Sequence, residues 1–433
     1  MRMKKKILIV AFWLLVWHLL ALWVDNKILL VTPVQTIIAL AKLIVTRDFW
    51  LTVEGSLVRI GAGFLLGFVV ACVLAVLASR WKWLEELLEP AIALLKAVPV
   101  ASFVVLLLIW WGSPVLAVAI CFLVVLPVIY INVLQGLQNA DKKLLEMAEV
   151  FSMSRCNQFF YIYRPALRPF LESGLKLALG MCWKSGVAAE IIGTPEYSIG
   201  ESLYMSKIYL DTDGLFAWTV VVILLSVGFQ KVFLGVVRLF MKWQPKGKVN
   251  RRFNNCVADK LICYKLSKSY DDLQIVQELD AEYEPGRIYY FTTPSGSGKT
   301  TLFRLLSGLE EPDSGNIQRG NLKISYAFQE DRLCEDYSAV RNVELVADCD
   351  GAEVLQELLP KEALYKPCSQ LSGGMRRRVA VVRAMEADSD CVILDEPFAG
   401  LDGETKAKVE KYIQSRQKGR ILFIASHVSG TEL

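Results

Sequence analysis

The sequence has few histidines and no paired cysteines, and these shortages exclude several kinds of metal site. Its 433 residues include two histidines, His18 and His427, so a histidine-rich metal centre is excluded. The ten cysteines form no CxxC pair and no grouping with histidine. Scattered thiols of this kind predict a reduced, cytosol-facing chain, and not a disulfide framework or a zinc site.

Charged residues are also scarce. Asp, Glu, Lys and Arg make up 21% of the chain against 54% for apolar residues, which is too apolar an average for a soluble protein. The net charge of +4 is small for this length and does not predict nucleic acid as a partner. Because the long uncharged runs end near residue 240, the composition predicts a membrane domain followed by a soluble one.

The amino-terminal MRMKKK precedes an apolar run without a small-residue cleavage site, which predicts a retained first helix and not a signal peptide. A bilayer core needs about 20 apolar residues per helix. The six stretches that we predict as spans are 7–24, 57–79, 91–111, 114–135, 173–193 and 215–240.

Clusters of lysine and arginine precede the first predicted span and follow the second, fourth and sixth. Cytoplasmic loops are enriched in these residues, so the pattern predicts a multi-pass protein of the cytoplasmic membrane with both termini in the cytoplasm. Beyond residue 260, short β-rich runs alternate with helical ones, as in a parallel α/β domain. The predicted division is a helical membrane domain (1–243), a basic linker (244–260) and an α/β domain (261–433).

A strand candidate at Ile288–Phe291 runs into TPSGSGKTTLFRLLSGL, and this order of strand, Gly-rich turn and helix predicts a phosphate-binding loop. Backbone N–H groups and the helix N-terminus attract phosphate, Lys299 adds a point charge, and Thr300 can bind Mg²⁺. Thr293 replaces the first glycine of the usual GxxxxGK[ST] pattern. The predicted nucleotide-binding residues of this loop are Ser295, Gly296, Ser297, Gly298, Lys299, Thr300 and Thr301.

A second group of residues suits hydrolysis. Asp395 and Glu396 end the buried-strand candidate in CVILDEPF, where Asp395 suits a Mg²⁺ ligand and Glu396 a base for the attacking water. Gln329 can reach the metal and sense a neighbouring domain. His427 follows a third apolar run and could contact the γ-phosphate. The predicted catalytic residues are therefore Glu396, His427 and Lys299, and the predicted metal ligands are Thr300, Gln329 and Asp395.

These elements occur in the order of the ABC ATPase family, which the domain resembles as a shortened P-loop NTPase. The resemblance implies ATP and Mg²⁺ as cofactors, with each ATP held between two subunits, either a homodimer or a pairing with a related subunit. It also implies that Tyr270 stacks on adenine, although a core tyrosine is the alternative. The segment from Lys299 to Gln329 is shorter than the family norm. The remaining nucleotide contacts that the resemblance implies are Leu371, Ser372, Gly373, Gly374 and Asp402.

Between the fourth and fifth predicted spans lies a polar, basic, helical segment, 141–169, which must stay out of lipid. It resembles the coupling loop of ABC importer permeases at Glu146, Ala148, Pro165 and Ser152, where relatives have glycine. The resemblance implies a short helix that transmits closure of the ATP-binding domain to the membrane helices. The alternative is an ordinary amphipathic connector.

The membrane domain resembles a six-helix permease of the type I importers, in the nitrate/sulfonate/taurine branch, on the strength of SLVRIGAGF and GVAAEIIG. This resemblance implies ATP-driven import of a small organic or inorganic anion, or of a thiamine-precursor-like molecule, with an external substrate-binding protein. The alternatives are an ABC exporter half-transporter and a nucleotide-dependent membrane regulator that does not transport.

Two ionisable residues, Lys184 and Glu190, lie in or at the end of the fifth predicted span. Such groups are costly in a bilayer, about 2.5–3.5 kcal/mol each at a helix centre. We expect them to face a translocation pathway or a protein interface. Their six-residue spacing places them about a third of a turn apart, so they are not expected to pair with each other.

Overall fold

A computed structural model describes residues 2–26, 28–243, 260–270, 273–294 and 296–426. The chain divides into two compact units. The first comprises residues 1–139 and 167–243, and the second comprises residues 140–166 and 244–433. The predicted coupling loop therefore lies mostly in the same unit as the predicted ATP-binding domain. The predicted linker, 244–260, lies outside the described residues except for Lys260.

The first unit is helical. Its helices up to residue 139 are α1 (Arg2–Val24), α2 (Pro33–Ile44), α3 (Arg47–Arg80), α4 (Lys82–Ala97), α5 (Val100–Trp111) and α6 (Ser113–Gln138). The segment that follows contains α7 (Lys142–Val150), α8 (Arg155–Gln158), a π-helical turn (Phe159–Tyr163) and the start of α9 (Arg164–Gly193). The first unit then ends with α10 (Ile199–Ile208) and α11 (Thr212–Lys242).

Length and composition alone identify four or five of the described helices as membrane-spanning, against the six spans predicted. Within the described ranges, α1, α3, α6 and α11 are long and apolar enough to cross a membrane, and α4 with α5 makes a fifth candidate if the pair is one span. That pair is bent by 99°, and Pro99, which cannot continue a helix, lies at the break. The predicted span 173–193 falls within α9, which is 30 residues long but carries too many charged side chains to qualify by composition.

The core of the first unit follows helical periodicity along α3. Its fully buried residues Ile60, Phe64, Ala71 and Ala75 recur at spacings of four, seven and four and line one face of the helix. Phe64 also packs edge-on against Phe233 of α11, with ring centroids 4.8 Å apart. Within a membrane, helices associate by close packing and not by the hydrophobic effect. The small side chains of Ala71 and Ala75 permit such close packing.

The second unit is an α/β domain with two sheets. An antiparallel sheet has the order β2-β1-β4, formed by β1 (Leu261–Tyr270), β2 (Leu273–Tyr283) and β4 (Ser314–Gln318). A parallel sheet has the order β3-β7-β6-β5, formed by β3 (Ile288–Phe291), β5 (Ile324–Ala327), β6 (Cys391–Asp395) and β7 (Ile421–Ala425). The helices are α12 (Lys299–Ser307), α13 (Ala339–Glu344), α14 (Gly351–Gln356), α15 (Gly373–Glu386) and α16 (Gly403–Ser415).

The parallel sheet brings the predicted catalytic segments to one edge. Phe291 at the end of β3 and Asp395 at the end of β6 both pair with Ala425 of the intervening strand β7. The phosphate loop therefore starts two strands away from Asp395, at the carboxyl edge where α/β sheets bind ligands. Strands β5, β6 and β7 are buried throughout, which explains their nearly continuous apolar sequences.

Helix α7 packs into the core of the second unit. Its residues Met147 and Ala148 are buried in the same apolar cluster as Phe303 of α12 and Tyr326 of β5. Ser152 follows the helix with a φ of +47°, and the next N–H, of Met153, reaches back to the carbonyl oxygen of Ala148 at 2.9 Å. This is the left-handed helix ending that glycine adopts most easily, which accounts for the glycine that the family resemblance implies at the Ser152 position.

Candidate functional site: a nucleotide site joined to the segment between membrane helices

The phosphate loop connects β3 to α12 through glycines with left-handed backbones. Gly298, the N-cap of α12, has a φ of +86°, and a Cβ on it would lie 2.4 Å from Ile275 Cγ2. Both conditions require glycine at this position. The first N–H groups of α12, like those of every helix, have no intrahelical acceptor. Free N–H groups at a helix start, together with the helix dipole, form an anion site.

Lys299 is buried and folds back onto this loop. Its ammonium donates to the carbonyl oxygens of Thr293 and of Pro294, the latter at 3.0 Å. The hydroxyls of Thr293 and Ser297 lie 2.6 Å apart and form a hydrogen bond across the loop. Thr293 therefore supports the loop through its side chain, and the absence of the usual first glycine does not open it.

The residues predicted to hold Mg²⁺ lie next to each other. The Thr300 hydroxyl donates to Asp395 Oδ2 at 2.9 Å, and Asp395 is 1% exposed. Burial raises the pKa of the Asp395 carboxyl. The described residues contain no cluster of three or more His, Cys, Asp or Glu that could hold a metal alone. Few protein oxygens suit Mg²⁺, because this ion keeps waters and takes its other ligands from substrate phosphates.

Glu396 and Gln329 meet beside this pair. Gln329 Nε2 donates to Glu396 Oε1 at 3.4 Å, and the Glu396 N–H donates to the carbonyl oxygen of Ala425 at 3.1 Å. Glu396 has a φ of +53°, a strained backbone for a side chain of this length. Such strain, about 1–3 kcal/mol, persists where the surrounding structure holds a functional group in position.

The sequence analysis missed Arg377, which holds the loop around Gln329. This arginine of α15 is nearly buried and donates to the carbonyl oxygens of Phe328, at 2.6 Å, and of Gln329. It also forms an ion pair with Asp331 at 3.3 Å. The sequence did not single out Arg377, because three consecutive arginines, 376–378, do not indicate which one faces the interior.

The LSGG and AGLD segments both form helix starts. The Ser372 hydroxyl caps α15 by accepting the Met375 N–H at 3.3 Å, and Leu371 is buried. Asp402 caps α16, with Oδ1 accepting the Thr405 N–H at 2.9 Å, a bond that lowers the Asp402 pKa. Ser372 and Gly373 remain exposed, so this turn is available to a nucleotide or to a second subunit.

Tyr270 ends β1 and is 43% exposed, which excludes the alternative of a core tyrosine. Its hydroxyl donates to Glu310 Oε1, and its ring lies 5.8 Å from the Lys268 ammonium. An exposed aromatic face of this kind can stack on a nucleotide base. Two predicted residues, Ser295 and His427, lie outside the described residues, and their roles remain predictions.

Comparison with known families identifies both units. Residues 276–399 match the ABC transporter family model, and residues 63–241 match the model of the binding-protein-dependent transport system inner membrane component. The ATP-binding half is 32% identical over 168 residues to the aliphatic sulfonates import ATP-binding protein SsuB 1 of Rhodococcus jostii, covering 36% of this chain and 69% of that protein. The chain is an ABC transporter.

Two further relatives describe the halves of this transporter. The aliphatic sulfonates transport permease protein SsuC of Bacillus subtilis is 27% identical over 245 residues, covering 55% of the transporter and 87% of the permease. The Nod factor export ATP-binding protein I of Cupriavidus metallidurans is 31% identical over 182 residues, covering 37% of the transporter and 60% of that protein. The transporter thus joins a permease domain and an ATP-hydrolysing domain in one chain, as its sequence predicted.

In this transporter the predicted coupling segment, 141–169, contacts the ATP-binding domain through Glu146. Its carboxylate accepts two bonds from the Arg304 guanidinium, at 3.0 and 3.1 Å, and one from Arg332 at 2.6 Å. Arg304 lies in α12 directly after the phosphate loop, and Arg332 lies three residues after Gln329. The Arg304 hydrogen bonds lower the Glu146 pKa. Glu146 therefore contacts both the helix that follows the phosphate loop and the segment that follows Gln329.

The two charged residues of α9 have different surroundings. Glu190 is fully buried, where its Oε2 accepts the Ser56 hydroxyl at 2.6 Å and its Oε1 lies 3.3 Å from Arg59 Nε. Lys184 is exposed on the same helix. Glu190 is thus part of a protein interior between α3 and α9, whereas a pathway role for Lys184 stays a prediction.

Proposed function

We propose that this transporter imports a small organic anion of the sulfonate class through the cytoplasmic membrane, driven by ATP and supplied by an external binding protein. The observation that carries the proposal is the Glu146 contact. A segment that lies between two permease helices in the sequence is packed within the ATP-binding unit and reaches Arg304 of the phosphate-loop helix. The fusion of both halves in one chain requires such a connection for transport to be driven by ATP.

The residues present suit a nucleotide and Mg²⁺. When bound, Mg²⁺ would neutralise charge on the phosphates, and Thr300 and Asp395 would hold it. Lys299 is positioned to exchange its loop carbonyl partners for phosphate oxygens. Glu396, oriented by Gln329, supplies a carboxylate that can accept a proton from water.

Import is favoured over export by the permease half. The ATP-binding half is similar to proteins named for sulfonate import and for Nod factor export, so it does not choose a direction. The permease half matches the binding-protein-dependent family and a sulfonate permease over most of its length. This agreement of both halves on sulfonate relatives also supports the substrate class.

Two copies of the chain are the assembly we favour, with both termini in the cytoplasm. Each chain carries one phosphate loop and one exposed Ser372-Gly373 turn, and ATP bound between the loop of one copy and the turn of the other would join them. A Glu396→Gln variant should slow hydrolysis and trap nucleotide in such a dimer. Light scattering that finds only single chains for this variant with ATP, and no retained nucleotide, would contradict the assembly.

Transport direction is tested in proteoliposomes that contain the full chain and enclosed ATP. We expect radiolabelled ethanesulfonate to accumulate inside only when a sulfonate-binding protein is added outside, and a Lys299→Ala variant to accumulate none. ATP-dependent loss of ethanesulfonate from preloaded vesicles would show an exporter. ATP hydrolysis without movement in either direction would favour a regulator.

A further inference from the structure

A continuous chain of side-chain contacts joins Tyr270 to Glu146. The Tyr270 hydroxyl donates to Glu310 Oε1, and the other oxygen, Oε2, accepts from Arg304 Nε at 3.2 Å. The remaining edge of the same guanidinium binds both oxygens of Glu146. All four residues lie in the second unit, and the chain joins β1, the end of α12 and the coupling segment.

Arginine suits this junction because its planar guanidinium offers donors along two edges. Arg304 uses Nε for Glu310 and its two terminal nitrogens for Glu146. A lysine at this position would be a point charge without this fixed fork. Only 26% of the Arg304 side chain is exposed, so water competes for its donors less than on an open surface.

The end of α12 places Glu310 over Arg304. Gly308 takes a left-handed φ of +79°, and the Leu309 N–H donates back to the carbonyl oxygen of Arg304 at 3.0 Å. This helix ending turns the chain so that Glu310, six residues after Arg304, returns beside it. Lys268 lies 3.6 Å from Glu310 Oε1 and forms an ion pair with Asp313 at 2.9 Å, so a cation also lies beside the oxygen that accepts from Tyr270.

We infer that Glu310 is a positioning residue that links the nucleotide-facing ring of Tyr270 to the coupling segment through Arg304. The inference rests on the proposed function, since it takes Tyr270 as the base contact and Glu146 as the coupling contact. Glu310 has one oxygen for each partner, so a shift of either partner changes the position that the other prefers. Base binding and docking of the coupling segment thereby favour one another.

A double-mutant cycle on the full-length chain in detergent tests the link. Tyr270→Phe keeps the ring and removes the hydroxyl, and Glu146→Gln removes the charge that orients Arg304. We expect Glu146→Gln to weaken binding of a fluorescent ATP analogue about threefold, near the low end for directly coupled residues. In the Tyr270→Phe background the same change should have no further effect on the dissociation constant.

Glu310→Gln should reproduce this loss, raising the KM for ATP about threefold with kcat changed less, whereas Glu310→Asp should restore part of it. The matched control is Glu311→Gln, which removes the adjacent exposed charge and should leave KM unchanged. Reciprocity requires nucleotide to protect the backbone of residues 142–150 from hydrogen exchange in the wild type and less so in Glu310→Gln.

Additive effects in the cycle, or equal effects of Glu310→Gln and Glu311→Gln, would overturn the inference while leaving the proposed function intact. A Tyr270→Ala variant further separates the inferred Glu310 link from the proposed transport function. If it leaves nucleotide affinity unchanged while Lys299→Ala abolishes binding, Tyr270 is not the base contact and the link fails, but ATP-driven transport stands. If Lys299→Ala still binds and hydrolyses ATP, the proposed function itself fails.

Discussion

A glutamate in each unit is held by arginine, but the two sites differ in exposure. Glu190 in the permease unit is fully buried and has Arg59 as its ion-pair partner. Glu146 in the ATP-binding unit keeps 31% of its side chain exposed and binds both Arg304 and Arg332. The Glu190 site thus has one arginine and a carboxylate that solvent does not reach, whereas the Glu146 site has two arginines and a carboxylate that solvent reaches in part.

This difference predicts different uses. Removing Arg59 leaves a buried carboxylate that keeps hydrogen bonds from the Ser56 hydroxyl and the Gly200 N–H but has no cation, which is costly, so the Glu190 site holds α3 against α9. At the Glu146 site a lost partner leaves a carboxylate that still has a second arginine and partial access to water, so its contacts can change at a lower cost. Reversible contacts suit a segment that must follow movements of the ATP-binding domain.

The largest expected effect is at Arg59. Arg59→Met leaves the Glu190 carboxylate buried without its cation and should destabilise the permease unit by about 3–5 kcal/mol. The double variant Glu190→Met with Arg59→Met removes both charges and should recover most of that loss. Thermal unfolding in detergent measures both, with Lys184→Met as the control that should leave Tm unchanged. If Arg59→Met were as stable as the wild type, the Glu190 site would not differ from the Glu146 site in the way described.

Glu146→Ala should have a smaller effect on stability and a large effect on transport. The partly exposed ion pairs contribute about 1 kcal/mol or less each, so Tm should fall slightly. Uptake should drop much more than ATP hydrolysis, because the contact between the coupling segment and α12 is lost. Parallel uptake and hydrolysis assays in proteoliposomes measure the ratio. Equal losses in the two assays would mean that Glu146 serves hydrolysis and not coupling.

Acid should remove the Glu146 contribution. The Glu146 pKa is lowered in the folded chain by its arginines, so its stabilisation is complete above the ordinary carboxyl pKa, about 4.3, and is lost as the pH falls toward the folded value. The Tm difference between wild type and Glu146→Gln should therefore be constant near neutral pH and shrink below that ordinary value. A difference that grows in acid would contradict the assigned charge state.

The smallest expected effect is at Ser152. A residue with a Cβ is strained by about 1–2 kcal/mol at the observed φ of +47°, and glycine loses about 0.5–1 kcal/mol more conformational entropy on folding, so Ser152→Gly should stabilise the helix ending behind Glu146 by about 0.5–1 kcal/mol. A slightly higher Tm of the ATP-binding unit with unchanged transport is the expected result. The control is Ser154→Ala, which removes the α8 cap and should lower the Tm. A lower Tm for Ser152→Gly would show that the hydroxyl has an unrecognised partner.

The residues of the nucleotide site were more predictable from the sequence than the residues that connect this site to Glu146. Lys299, Thr300 and Asp395 lie in local patterns whose backbone geometry follows from glycines and strand ends, and the structure places Thr300 beside Asp395. Arg304 and Glu310 carry no such local pattern, because an arginine or glutamate on a helix end is usually solvated. Their contacts with Tyr270 and Glu146 depend on segments that are far apart in the sequence.

The sequence by itself determined the order of a helical permease and an ATP-binding domain, because hydropathy and the glycine-rich motifs are local properties. It did not determine the broken α4–α5 pair or the partner of Glu190. Those depended on tertiary structure, since the cost of a buried charge or a helix break is decided by which distant side chains surround it. The same reason explains why the arginines around Glu146 emerged only once the chain was folded.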